Sequence, residues 1–406
     1  MNRNLPPVFA RLAGANLAAQ SAEQISLAAV PLVAVLALGA GPGEIGLLAT
    51  AQSLPFLLLS IPLGVLADRT SRRRLMVLAE TLRALSLLAL LLAALFGQLS
   101  IAVLAVLGFV GAADTVAFSV AAPALVPALV PRDMLAAANG RLELARSAAF
   151  AAGPALAGAL VAWAGASAAF VLAVVLSSSA VALLLRLPDP ARAVVPRRHP
   201  WIEIREGARM VWSHELLRPI LLTAVAWNIA WFVLQAAYVP HAVRSLGLDA
   251  GAVGSTLAAY GIGMVAGALA APRVLRALSF GAAVLLGPAV SVAAMATMVA
   301  TLVWPSGWLA GASFFLFGVG PIIWTISSTT LRQTVTPAVM LGRVTAIFLA
   351  VNTGARPLGA ALGGWVGAQF GTAACLMMAL AGFVIQALII VASSVRSLKR
   401  LPVAEA

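Results

Sequence analysis

The sequence predicts an all-α membrane protein in which twelve transmembrane helices form two pseudo-symmetric six-helix bundles. Three observations carry the prediction. Of the 406 residues, 62% are hydrophobic and 10% charged, with a mean hydropathy of +1.03, which places the chain among polytopic membrane proteins. Twelve apolar runs are each long enough to cross a hydrocarbon core of about 30 Å, which takes about 20 residues of helix. The breaks between them are alternately rich in arginine and free of it, as expected when successive loops lie on opposite faces of a bilayer.

The runs fall near residues 9–38, 45–67, 75–96, 100–126, 137–163, 166–187, 217–243, 252–272, 281–303, 308–332, 343–368 and 372–395. The first is far longer than a signal-peptide core and is expected to be retained as a helix. The second ends in Gly64-Val-Leu-Ala-Asp68-Arg69-Thr-Ser-Arg72-Arg73-Arg74. Four arginines and an aspartate in so few residues cannot stay in hydrocarbon, so this stretch is a loop, and its arginines put it on the cytoplasmic side. Five breaks carry no Lys or Arg: 39–43, 97–100, 164–166, 304–308 and 369–371. These are the predicted outer loops, and Arg244 is the single arginine of the remaining outer loop, 241–251. Arg3 at one end and Arg396, Lys399 and Arg400 at the other place both termini in the cytoplasm.

The break at 188–216 follows the sixth run and divides the chain into an N-terminal bundle (1–187), a cytoplasmic linker, and a C-terminal bundle with a short tail (217–406). Within the linker Trp201, Ile204, Ala208, Val211 and Trp212 share one helical face opposite Glu203, Arg205, Glu206 and Arg209. That pattern predicts an interfacial helix lying on the membrane surface. The halves also echo each other: Val130-Pro131 to Gly140-Arg141 has its counterpart in Val335-Thr-Pro337 to Gly342-Arg343. A duplicated unit places a polar cavity between the halves.

A net charge of +13 in a soluble chain would point to nucleic acid. Here the arginines follow the loop pattern, so the partner is the lipid bilayer and no nucleic acid is expected. The 25 arginines beside one lysine fit a GC-rich bacterial genome and hence an inner-membrane location. A single cysteine, Cys375, and three scattered histidines indicate neither a disulfide nor a metal centre. No cofactor is expected, and an enzyme is not: no nucleophile and base lie together near a helix midpoint, and no phosphate-binding loop is present. With no sizeable output domain, a sensor is also disfavoured, which leaves transport by a monomer.

Ionisable residues at membrane depth are functional candidates by default. Glu23 lies mid-helix in a stripe with Asn16, Gln20 and Gln24, and Asp114 lies mid-helix in the fourth run. A carboxyl group stripped of water at that depth can hold or release a proton near physiological pH, so both are assigned to proton coupling. Arg356, before Pro357 in the eleventh run, is the matching cation. With Gln20, Gln24, Asn228, Trp231, Gln235, Trp324 and Asn352 it makes up the predicted substrate-binding set, aromatic and polar as an amphipathic ligand requires. Glu80 with Arg83, and Glu143 with Arg146, read as i,i+3 structural pairs near the cytoplasmic ends of their helices. Gly153-Pro154, Gly261, Gly263, Gly359, Gly363 and Gly364 mark close helix approaches.

The Gly64 to Arg74 loop, the helix count and the central linker together resemble the major facilitator superfamily. Asp114 ahead of Pro123, the run from Val130 to Leu142, the linker segment from Arg205 to Arg218, and Leu341 to Val344 are similar to its enterobactin-exporter and macrolide-efflux branch. Gly153-Pro154 with Gly158 resembles the fifth-helix motif of drug:proton antiporters, with Ala149 and Ala157 where that motif has glycine. The resemblance implies alternating access about a site lined by helices 1, 4, 7 and 10, with helices 2, 5, 8 and 11 as gates. It also implies a conformational gate of Gly64, Asp68, Arg69, Arg72, Arg73, Arg343, Gly153 and Pro154, in which Asp68 caps the start of helix 11 beside Arg343. The function expected is proton-coupled, multidrug-type efflux of amphipathic small molecules. A dedicated exporter of a metabolite such as a siderophore is the alternative, and a proton symporter for nutrient import a third.

Overall fold

A computed structural model describes residues 6–131, 134–189, 200–337 and 340–402, and all regular structure among them is helical. The helices are α1 (Pro7–Leu38), α2 (Pro42–Arg69), α3 (Arg72–Leu95), α4 (Ile101–Leu129), α5 (Leu135–Ala164), α6 (Ala166–Leu185), α7 (Pro200–Ser213), α8 (Leu217–Arg244), α9 (Ala250–Ala277), α10 (Phe280–Ala300), α11 (Gly307–Val335) and α12 (Leu341–Val391). Eleven of these are long and apolar enough to span a membrane; α7 is the linker helix. At about 1.5 Å per residue the 51 residues of α12 would be twice the length a bilayer needs. The chain turns at Gly371, whose φ of +79° only glycine adopts freely, so α12 is two membrane helices, 341–370 and 372–391. Twelve crossings result, as predicted.

Helix ends are set locally. Ser71, Ser100, Asp249 and Ser279 each accept a hydrogen bond from the backbone N–H three residues on, which satisfies one of the unpaired amides that begin a helix. The α1 helix ends at Gly39 in a left-handed conformation, with Ala40 N donating to Ala34 O at 2.9 Å. Phe96, Trp163, Trp304, Trp308 and Phe370 are exposed and lie at the end opposite the arginine-rich loops, where an aromatic belt meets lipid headgroups.

Helices α1 to α6 pack on one another, as do α8 to α12. The bundles meet where α2 lies along α12 and α5 along α9. Glycine makes these seams: a methyl group at Gly46 would collide with the backbone of Gly364, and one at Gly158 with Gly254. Both contacts lie toward the predicted outer ends of the four helices. Arg244 closes the same end, donating to Gly39 O at 2.6 Å and Ala40 O at 2.8 Å, so a C-terminal-half cation sits at the carboxyl end of α1.

On the arginine-rich side, Arg73 donates to the terminal carbonyls Leu184 O and Leu185 O of α6. Asp189 accepts from Ser71 at 2.7 Å and lies 3.8 Å from Arg74. Arg343 is ion-paired with Glu206 of α7, so one of its partners comes from the linker. The side chains of Gly64, Asp68 and Arg69 lie outside the described residues. In α7, Gly207 and Val211 are buried against the bundle while Ala208 and Trp212 are exposed, and the side chains of Trp201 and Ile204, which complete the predicted apolar face, lie outside the described residues.

Candidate functional site

Between the bundles is a cavity of about 550 Å³, within the usual range for small-molecule sites. Its N-terminal wall comes from α1 to α5 and its C-terminal wall from α8 to α12. Of the sequence candidates, Glu23, Gln24, Asn228, Trp231, Gln235, Trp324, Asn352 and Arg356 line it, and so does Pro154. Gln20 does not: it sits one turn nearer the amino end of α1, outside the lining. Asp114 is buried behind the wall. Gly153 admits Gln24, whose Cβ would clash with a side chain there.

The N-terminal wall is organised by Arg83, which corrects the expectation of a pair near the cytoplasmic surface. The α3 helix begins at Arg72, so Glu80 and Arg83 lie about 12 and 17 Å along it, near mid-membrane. Arg83 is 95% buried at its side chain. Its guanidinium lies 2.6 Å from Asp114 Oδ2, 3.4 Å from Glu80 Oε2 and 4.0 Å from Glu23 Oε2. It also donates to Thr115 Oγ1 at 2.5 Å and Ala19 O at 3.3 Å, which ties α1, α3 and α4 together. Glu80 accepts from Ser177 Oγ of α6 at 2.6 Å. The Asp114 contact is an ion pair without hydrogen-bond angles, and neither Asp114 oxygen has a hydrogen-bond partner among the described residues.

One cation therefore serves three carboxyls. Like charges about 5 Å apart repel by about 3 kcal/mol at an effective dielectric near 20, so a fully ionised cluster is costly in a buried site. Glu23 alone of the three lines the cavity, its side chain 16% exposed, with Arg356 in electrostatic reach across the space and Arg146 on the lining of α5.

The C-terminal wall is aromatic. Trp227 and Trp231 stack with ring centroids 5.2 Å apart and 9° between planes, and Phe314, Phe317 and Tyr260 surround Trp231 at 5.1 to 6.0 Å. Arg356 lies over two rings, Phe56 from the N-terminal half at 5.1 Å and Phe232 from the C-terminal half at 5.9 Å. Asn228 donates to Asn352 Oδ1 at 2.6 Å, so these two amides are paired with each other. In contrast, Trp227 Nε1, Trp324 Nε1, Gln386 Oε1 and Arg356 Nε are buried with no hydrogen-bond partner among the described residues. An unpaired buried polar group costs about 1–3 kcal/mol, so four on one wall mark a surface built to meet something.

Sequence reasoning did not assign Arg83, Glu80 or Gln386 to the site. A signal existed: Glu80 and Arg83 are the charged residues inside the third apolar run, and Gln386 is the one amide inside the twelfth.

The major facilitator superfamily model matches residues 12–360, most of the chain and all of the cavity lining except Gln386. The chain belongs to the major facilitator superfamily. Its sequence is 29% identical over 327 residues to the enterobactin exporter EntS of Citrobacter koseri, covering 80% of this chain and 77% of that one. Its fold is similar to the nucleoside transporter NupG, in a point-mutant form, at a TM-score of 0.77 and 12% identity, covering 95% of this chain and 99% of that one. A bacterial homologue of the iron transporter ferroportin in an inward-facing state gives 0.76 at 16% identity, covering 96% and 99%. The protein is thus a multi-pass membrane transporter of the enterobactin-exporter branch.

Proposed function

We propose that this transporter exports an amphipathic, aromatic small molecule in exchange for protons, working as a monomer in a bacterial inner membrane with both termini cytoplasmic. The observation that carries the reading is the Arg83 cluster: three carboxyls around one buried cation, one of them open to the cavity. Such a set binds and releases protons as the cavity changes access, with Glu23 as the exchanging group and Asp114 and Glu80 holding Arg83 in place. A ligand that occupies the space between Glu23 and Arg356 changes the charge balance on both, which couples its movement to that of the proton.

Two features support an anionic aromatic metabolite of the siderophore class as the substrate. Arg356 faces the cavity between two aromatic rings with Nε unpartnered. The sequence relatives carry the name enterobactin exporter. Broader amphipathic efflux is the second reading, favoured by the cavity-facing carboxyl of Glu23, which suits a cation. The test is uptake into inside-out proteoliposomes with an acidified lumen, with enterobactin and a lipophilic cationic dye as probes. Enterobactin accumulation that a protonophore abolishes is the expected result. Accumulation of the dye alone moves the substrate to the second reading, and uptake indifferent to the gradient rules out proton exchange.

A further inference from the structure

We infer that the C-terminal wall contains a subsite for a neutral aromatic ring bearing one hydrogen-bond donor and one hydrogen-bond acceptor group, formed by Trp227, Trp324 and Gln386. It deepens the export reading, resting on it for the cavity being the substrate site, and it is separate from the charge-bearing Glu23 and Arg356.

The three residues come from α8, α11 and the 372–391 arm of α12. Trp227 is fixed on two sides, stacked on Trp231 and meeting the edge of Phe383 at 6.4 Å and 72°. Phe383 and Gln386 are three residues apart on one helix and share a face, so the Gln386 amide lies on the side of the helix that meets Trp227. Trp324 is positioned by Gly287 of α10, where a methyl group would strike the Trp324 Cβ; glycine lets α10 approach closely enough to hold the indole. All three side chains line the cavity, and Gln386 is only 2% exposed.

Neighbouring polar residues on this wall look after themselves. Asn228 pairs with Asn352, Ser291 donates to Gly287 O and Thr325 to Pro321 O. Apart from Arg356 Nε, two indole N–H donors and one amide carbonyl are left over. An indole N–H can only donate and the amide oxygen can only accept, so the complement must present at least one acceptor and one donor. None of the three carries charge, and a neutral ring avoids the desolvation that an ion would suffer here. The stacked indoles supply a flat apolar face for that ring. A phenol carrying a carboxamide meets all of these demands: its carbonyl accepts from indole and its hydroxyl donates to Gln386.

The experiment is equilibrium binding to the full-length protein in nanodiscs, read by saturation-transfer NMR and calorimetry, with 3-hydroxybenzamide and 3-methylbenzamide as probes. Wild type is expected to prefer the hydroxylated probe about tenfold, the effect of one well-made hydrogen bond. Gln386→Met should abolish that preference while still binding 3-methylbenzamide. Trp324→Phe, which keeps a ring and removes the donor, should weaken both probes three- to tenfold. Equal binding of the two probes by wild type, or a preference retained in Gln386→Met, overturns the subsite. If Gln386→Met does not fold, Trp324→Phe decides: unchanged affinity for both probes overturns it. Because no gradient is involved, the subsite and the proton-exchange reading fail separately.

Discussion

On the N-terminal side of the cavity, Arg83 gathers Glu23, Glu80 and Asp114 within 4.0 Å and ties them to Thr115 and Ser177; on the C-terminal side, stacked indoles and an arginine between two rings present donors with no partner. The first wall directs its polar chemistry inward, onto itself. The second directs it into the cavity. On the proposed export reading, that difference divides the work: the N-terminal half manages ions, and the C-terminal half recognises the cargo. It also explains a feature of the sequence, that the acids of the second half, Asp249 and Glu405, lie outside its membrane runs.

The comparison is broken most severely at Arg83. Its replacement by leucine leaves three buried carboxyls without their cation, and removing one partner of a buried ionic set typically costs about 3–5 kcal/mol. Arg83→Leu is expected to lower the thermal unfolding temperature in detergent sharply and to abolish transport. Adding Glu80→Gln to that variant should restore part of the stability, since it removes one of the uncompensated charges.

A smaller effect sharpens the contrast from the other wall. Arg356→Gln should weaken an anionic aryl probe by about 10- to 100-fold, as loss of a charge-assisted hydrogen bond implies, and should change neutral probes little. Asn228→Ala is the internal control: its amide is already paired with Asn352, so probe affinity should fall by less than about threefold. Calorimetric titration of the purified variants separates these outcomes.

Much of this was legible in the sequence. The twelve crossings, the arginine loop, the mid-helix acids Glu23 and Asp114, and Trp231, Asn228 and Arg356 as cavity residues follow from hydropathy, depth and helical spacing. Arg83 escaped because i,i+3 spacing offered Glu80 as a sufficient local partner, and only packing shows that Asp114 and Glu23 converge on the same guanidinium. Gln386 escaped because depth along a helix can be read from sequence, whereas the face turned toward a cavity depends on where the neighbouring helices sit. Gln20 failed for the complementary reason: it shares a stripe with Glu23 and lies one turn too far from the cavity. Arg343 has Glu206 of the linker as a partner, a contact that distance along the chain did not indicate.

The division of labour between the walls is tested most directly by comparing two transport modes in Glu23→Gln proteoliposomes. One is uptake driven by an acid lumen; the other is exchange of labelled for unlabelled enterobactin with no gradient. The account predicts that gradient-driven uptake is lost while exchange continues at close to the wild-type rate, because the cargo wall is intact and only the ion site has been fixed in one state. Gradient-driven accumulation at the wild-type rate in Glu23→Gln would contradict it.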